Sequence, residues 1–283
     1  MTFKSIFSAI ALTALGMTAT GPALAQKGTE ELAKAAQNPI ASMISLPFQN
    51  NSNLNFGPQE KTQNILNVQP VYPFNLNDDW KVITRTIIPI ISQPALAPGQ
   101  DREPGIGGPS FMPPGQSRTS GIGNTTFVPY FTPSQTGKAL WGVAPVLMFP
   151  ATNPSVGSEA WGLGASAVVL AMPGKWVVGS TFTNVWSVDA DPADKVNVFT
   201  WQYFINYNMP KGWYLTTAPI LTANWEATSG NKWTVPFGGG IGRVFRVGTQ
   251  AVNTNLGAYY NVERPTFGPD WQVRFQLTFL FPK

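Results

Sequence analysis

The chain ends on "DWQVRFQLTFLFPK", residues 270–283, and the parity of that stretch decides the fold. Trp271, Val273, Phe275, Leu277, Phe279 and Phe281 form one apolar row, and Gln272, Arg274, Gln276 and Thr278 form the other before Leu280. Successive side chains of a β-strand point to opposite faces, so this segment is a strand with one greasy and one polar face. Strands of soluble proteins average about five or six residues, whereas a tilted strand crossing a bilayer needs about nine to eleven. The segment has the longer measure.

The same format recurs twelve times from Met43 onward, near 43–55, 62–74, 80–92, 122–132, 140–150, 160–171, 175–187, 196–208, 213–226, 232–245, 251–263 and 270–281. In "NVFTWQYFINYN" (197–208), Phe199, Trp201, Tyr203, Ile205 and Tyr207 oppose Thr200, Gln202, Phe204 and Asn206. None of these segments has a helical period or the 18 or so continuous apolar residues of a membrane-crossing helix. Turn clusters separate them. Those after even-numbered segments are short ("NLNDD", "TPSQTGK", "MPGK", "MPKG", "RVGTQ"), and those after odd ones are polar and mid-sized, with one long loop over residues 93–121. Short turns at one end and longer loops at the other mark an outer-membrane barrel. The expected fold is therefore all-β, an antiparallel up-and-down transmembrane β-barrel of about twelve strands, occupying residues 43–283.

Tryptophan placement agrees with this. Seven of ten tryptophans open a segment just past a polar turn: Trp80, Trp141, Trp176 and Trp213 at one rim, Trp161, Trp233 and Trp271 at the other. An indole, apolar with one polar N–H, suits the headgroup layer, so two aromatic girdles are expected. Prolines 70, 89, 129, 145, 219 and 236 fall inside expected strands, where each removes a ladder donor. Bulges or bends must absorb them.

Composition excludes much chemistry. Charged residues make up only 11% of the chain, against about 25% in soluble domains, and the net charge is +4 with no basic block. Nucleic acid is not an expected partner. Cysteine and histidine are absent, which removes disulfides, thiolate nucleophiles, Ser-His-Asp triads and most zinc sites. Acidic residues sit almost wholly in turns, so no enzyme, cofactor or metal site is expected. "GGGIGRVFRVG" lacks the Gly-Lys-Ser/Thr ending of a phosphate loop.

Residues 1–25 read as a secretory signal peptide: Lys4, an apolar run from Ile6, Gly21-Pro22 and the small-residue site Ala23-Leu24-Ala25. Residues 26–42 form a periplasmic N-terminal segment. Within it "KGTEELAKAAQNP" fits one short helix, with Thr29 as N-cap and Asn38-Pro39 as its stop; a frayed leader or a plug is the alternative.

The sequence resembles a family of Gram-negative outer-membrane barrels grouped with the "MetA-pathway of phenol degradation" proteins, some of which carry the label neuromedin U or transporter. The resemblance rests on "KAAQNPIASMISLPFQNN", "LNVQPVYPFNLNDDWKVITRTIIPII", "NYNMPKGWYLTTAPILTANWEA", "NKWTVPFGGGIGRVFRVG" and "GAYYNVERP". It extends to a glycine motif, Gly121-Ile122-Gly123-Asn124, where asparagine stands in place of the family's aspartate. The resemblance implies an outer-membrane barrel moving small organic molecules and names no substrate.

Two functions stay open: a channel or transporter for small, organic or aromatic solutes with a narrow or loop-gated lumen, and a structural or surface-interaction barrel with a packed lumen. The inward-facing candidates are Lys81, Arg85, Gln202, Asn206, Asn224, Asn253, Asn255, Arg274 and Gln276. The three cations either favour anions, as basic rings do in selective pores, or pair with Glu263 or solvent. Gly238, Gly240 and Gly242 either leave room for a channel or permit close packing. The last strand must close on the first to abolish edges, and its terminal aromatics Phe279 and Phe281 resemble the signal that barrel assembly machinery reads. Expected partners are thus outer-membrane lipid, that machinery and a small solute, with the bacterial cell outer membrane as location.

Overall fold

A computed structural model of the chain describes residues 28–94, 118–135, 137–188, 190–191 and 195–281. Within these, one helix, α1 (Thr29–Ala36), precedes fifteen strand segments: β1 (Ile44–Phe56), β2 (Lys61–Val68), β3 (Val71–Asn75), β4 (Trp80–Gln93), β5 (Thr119–Ile122), β6 (Thr126–Pro133), β7 (Ala139–Met148), β8 (Trp161–Ala171), β9 (Trp176–Val188), β10 (Asn197–Asn208), β11 (Trp213–Thr217), β12 (Ile220–Asn224), β13 (Trp233–Val247), β14 (Gln250–Glu263) and β15 (Trp271–Phe281). Three staves are interrupted, β2 with β3, β5 with β6, and β11 with β12, so the segments make a closed antiparallel barrel of twelve staves. Closure runs along β15 and β1, in register from Ile44–Phe281 to Leu54–Trp271. The expected signal peptide lies outside the described residues, as do most of the long loop and the last two residues, Pro282 and Lys283.

Two of the three strand breaks fall where the sequence places proline. Pro70 separates β2 from β3 and Pro219 separates β11 from β12. Backbone bonding continues across the first break, Gln69 N–H to Pro47 O at 2.9 Å and Thr86 N–H to Pro70 O at 3.1 Å. Pro236 sits at a register shift in β13, and Pro89 stays within β4 opposite Asn67. Between β6 and β7 the ladder holds at Phe127–Leu147 and Phe131–Val143 and lapses between them, where the same register sets Pro129 opposite Pro145. Two missing donors are thereby confined to one place on the wall.

Apolar residues face outward on five strands, Val143 and Leu147 on β7, Leu163 and Val169 on β8, Ile205 on β10, Leu256 on β14 and Phe275 on β15, all exposed. On β1 and β2, Asn50, Ser52 and Asn64 take the outward side and bond one another. The inner surface has two characters. Gln49, Asn51, Asn53, Gln63, Asn253, Arg274 and Thr278 make a polar wall, while Ile83, Val128, Tyr130, Ala144, Val146, Met148, Val168 and Leu170 make an apolar one. The inward candidates include no residue of β7 or β8, and the inner rows of these two strands are mostly apolar. Both rows of these strands are apolar, so alternation carries no sign there.

The helix lies against β13, β10 and the turn Pro210–Gly212, with Leu32 and Ala33 buried among Tyr214, Val244, Ala251 and Leu280. Its N-cap is Gly28 rather than Thr29, because the first helical bond runs from Leu32 N–H to Gly28 O at 3.1 Å. A second boundary also moves: residues 119–122, of which all but the last were expected in the long loop, form β5 and pair with the end of β4.

Candidate functional site

The lumen holds a cavity of about 170 Å³ between the polar wall and the N-terminal segment, whose residues between Ala35 and Met43 line one side of it. Seven of the nine expected inward residues reach this cavity: Arg85, Gln202, Asn206, Asn253, Asn255, Arg274 and Gln276. Parity explains the grouping. Gln202 and Asn206 flank Phe204 on one row of β10, Asn253 and Asn255 share a row of β14 with Tyr259, and Arg274 and Gln276 share a row of β15.

The other two lie elsewhere. Lys81 is buried and donates from Nζ to Ser42 Oγ at 2.9 Å, tying the N-terminal segment to β4. Asn224 ends β12 near the opposite rim, where its Oδ1 accepts from Glu226 N–H at 3.1 Å.

The two cavity arginines differ in their partners. Arg274 is held on three sides, Nε to Asn51 Oδ1 at 3.1 Å, Nη1 to Ala218 O at 2.7 Å and Nη2 to Gln272 Oε1 at 2.8 Å, and its guanidinium lies 4.7 Å from the Tyr259 ring centre. Arg85 donates from Nη2 to Gln69 Oε1, and its Nε is buried without an acceptor. Neither pairs with Glu263, which is exposed.

The inner glycines serve close approach. A Cβ on Gly238 or Gly240 would stand 2.1 or 2.2 Å from a carbonyl of β14, and one on Gly242 would stand 2.2 Å from the Tyr214 ring. Tyr214 in turn donates to Asn253 Oδ1 at 2.8 Å. Tyr214, Tyr259 and Gln49 belong to the cavity and were not singled out from sequence; Tyr259 shares its row with Asn253 and Asn255, which were.

Six of the seven tryptophans are exposed near the strand ends, and Trp233 is half-buried. Trp80 meets Trp141 at 6.0 Å and Trp176 meets Tyr207 at 4.8 Å, while the Arg243 guanidinium lies 5.0 Å from the Trp213 ring. At the other rim Trp161 contacts Phe149, Trp233 contacts Trp225 and Trp271 contacts Tyr260. Phe279 faces outward against Phe48, and Phe281 is exposed opposite Ile44. Asn124 of the glycine motif donates to Phe149 O at 3.0 Å and Ser158 O at 2.8 Å, and accepts from Ser158 N–H at 2.8 Å.

No protein-family model matches the chain, and no curated protein matches it significantly. Among solved structures it is similar to the COG4313 outer membrane channel from Pseudomonas putida F1, at 16% identity over 86% of this chain and 96% of that one, with a TM-score of 0.60. The NanC porin aligns at 8% identity over 85% and 99% of the two chains, TM-score 0.48, and the CymD monoaromatic hydrocarbon channel at 9% over 91% and 94%, TM-score 0.47. At these identities the first comparison shows the barrel fold, and the other two add nothing to it.

Proposed function

We propose that the chain is an outer-membrane channel for small solutes, related to the MetA-pathway barrels that its sequence resembles. One observation carries this reading: a closed barrel with a largely apolar exterior encloses a cavity lined by amides and two arginines. The fold it shares with a solved outer membrane channel supports the same reading. Lipid would then cover the outward rows, the tryptophans would stand at its two interfaces, and the rim that carries α1 and the last residues of β15 would face the periplasm. Phe279 and Phe281 would present the aromatic ending to the assembly machinery.

The apolar cluster on β4 and β6–β10 favours a second reading, a barrel with a packed lumen and no flux. Planar-bilayer recording of the purified protein separates the two. A channel gives stepwise currents, and a folded barrel silent at every voltage is the packed form.

A further inference from the structure

We propose that the luminal cavity binds a small organic monocarboxylate, with Arg85 taking the anionic group and the rings of Phe204, Tyr214 and Tyr259 taking the body. This rests on the channel reading only for access to the cavity. Its basis is a mismatch of charge. Arg85 and Arg274 both line the cavity, and no Asp or Glu among the described residues does. Among the described residues the ion pair is Arg264 with Asp270, at the opposite rim. A buried cation without a counter-ion is costly, and neutral acceptors spread its charge without cancelling it.

Arg274 is nonetheless engaged at each of its three nitrogens. Arg85 is not. A guanidinium carries five donors in a planar fork suited to a carboxylate, and that of Arg85 has one acceptor, Gln69 at Nη2, which leaves Nη1 for a ligand; its Nε also lacks an acceptor but is buried away from the cavity.

The surroundings select the rest of the ligand. Arg85 stands between Val71 and Val128 on the neighbouring strands, and Phe204, Tyr214 and Tyr259 line the same cavity. A small hydrated anion gains nothing from these rings, whereas an apolar body does. The volume of about 170 Å³ suits one ring, since an apolar cavity of about 150 Å³ holds benzene in another protein.

The test uses the full folded protein in detergent, with sodium benzoate, benzyl alcohol and sodium sulfate as probes, read by calorimetry. Benzoate should bind at least about ten-fold more tightly than benzyl alcohol, and Arg85→Gln should remove that preference while Arg85→Lys keeps part of it. Equal binding of benzoate and benzyl alcohol, equal binding of sulfate, or an unchanged preference in Arg85→Gln would overturn the proposal. If Arg85→Gln does not fold, the ranking of the three probes on the unaltered protein decides. Bilayer recording on the same preparation keeps the two readings apart: a silent barrel that prefers benzoate retains this site and loses the channel, and a conducting barrel without the preference does the reverse.

Discussion

Gln37 and Asn208 exchange two hydrogen bonds, Gln37 Nε2 to Asn208 Oδ1 at 2.8 Å and Asn208 Nδ2 to Gln37 Oε1 at 3.3 Å, and so fasten the end of α1 to the barrel wall. Lys34, which donates to Gly174 O, adds a second tether. Replacing Gln37 by Ala leaves the buried Asn208 amide short of a partner, at a cost of about 1–3 kcal/mol. The helix should then protect its amides less from hydrogen exchange, with the strands unchanged.

Asn124 donates to two carbonyls, which an ionised aspartate cannot do. Asn124→Asp should therefore loosen residues 149–160 and lower the urea midpoint of the folded barrel. Asn124→Ala should be no worse than Asn124→Asp, because it adds no charge facing those carbonyls.

Gly242 and Tyr214 are cross-strand partners, and the ring occupies the space a Cβ would need. Gly242→Val should impair folding, measured as loss of the heat-dependent shift in gel mobility. Adding Tyr214→Ala should recover part of it, since the two positions are coupled through one volume.

Ile44 pairs with Phe281 at the end of the closing ladder. Removing residues 281–283 should reduce insertion into the outer membrane, measured by the fraction of protein recovered there. Normal insertion would detach the terminal aromatic from assembly.

The staves were legible in the sequence because turns and tryptophans mark their ends, as at Trp176 and Trp271. The polar wall was legible too, since Gln272, Arg274 and Gln276 alternate with apolar residues. The apolar wall was not, because Val146 and Leu147 are equally greasy and only closure of the barrel decides which one faces inward. The seating of α1 was hidden for a related reason: Leu32 and a few alanines give a weak apolar face, and its complement is assembled from Tyr214, Val244 and Leu280 on distant strands.

The most direct measurement compares single-channel currents of the full chain with those of a variant lacking residues 28–37, both shown to be folded by gel mobility. The full chain should give small current steps and the variant larger ones, since its barrel has lost the helix seated among Tyr214, Val244 and Leu280. Two folded barrels that are both silent at every voltage would contradict it.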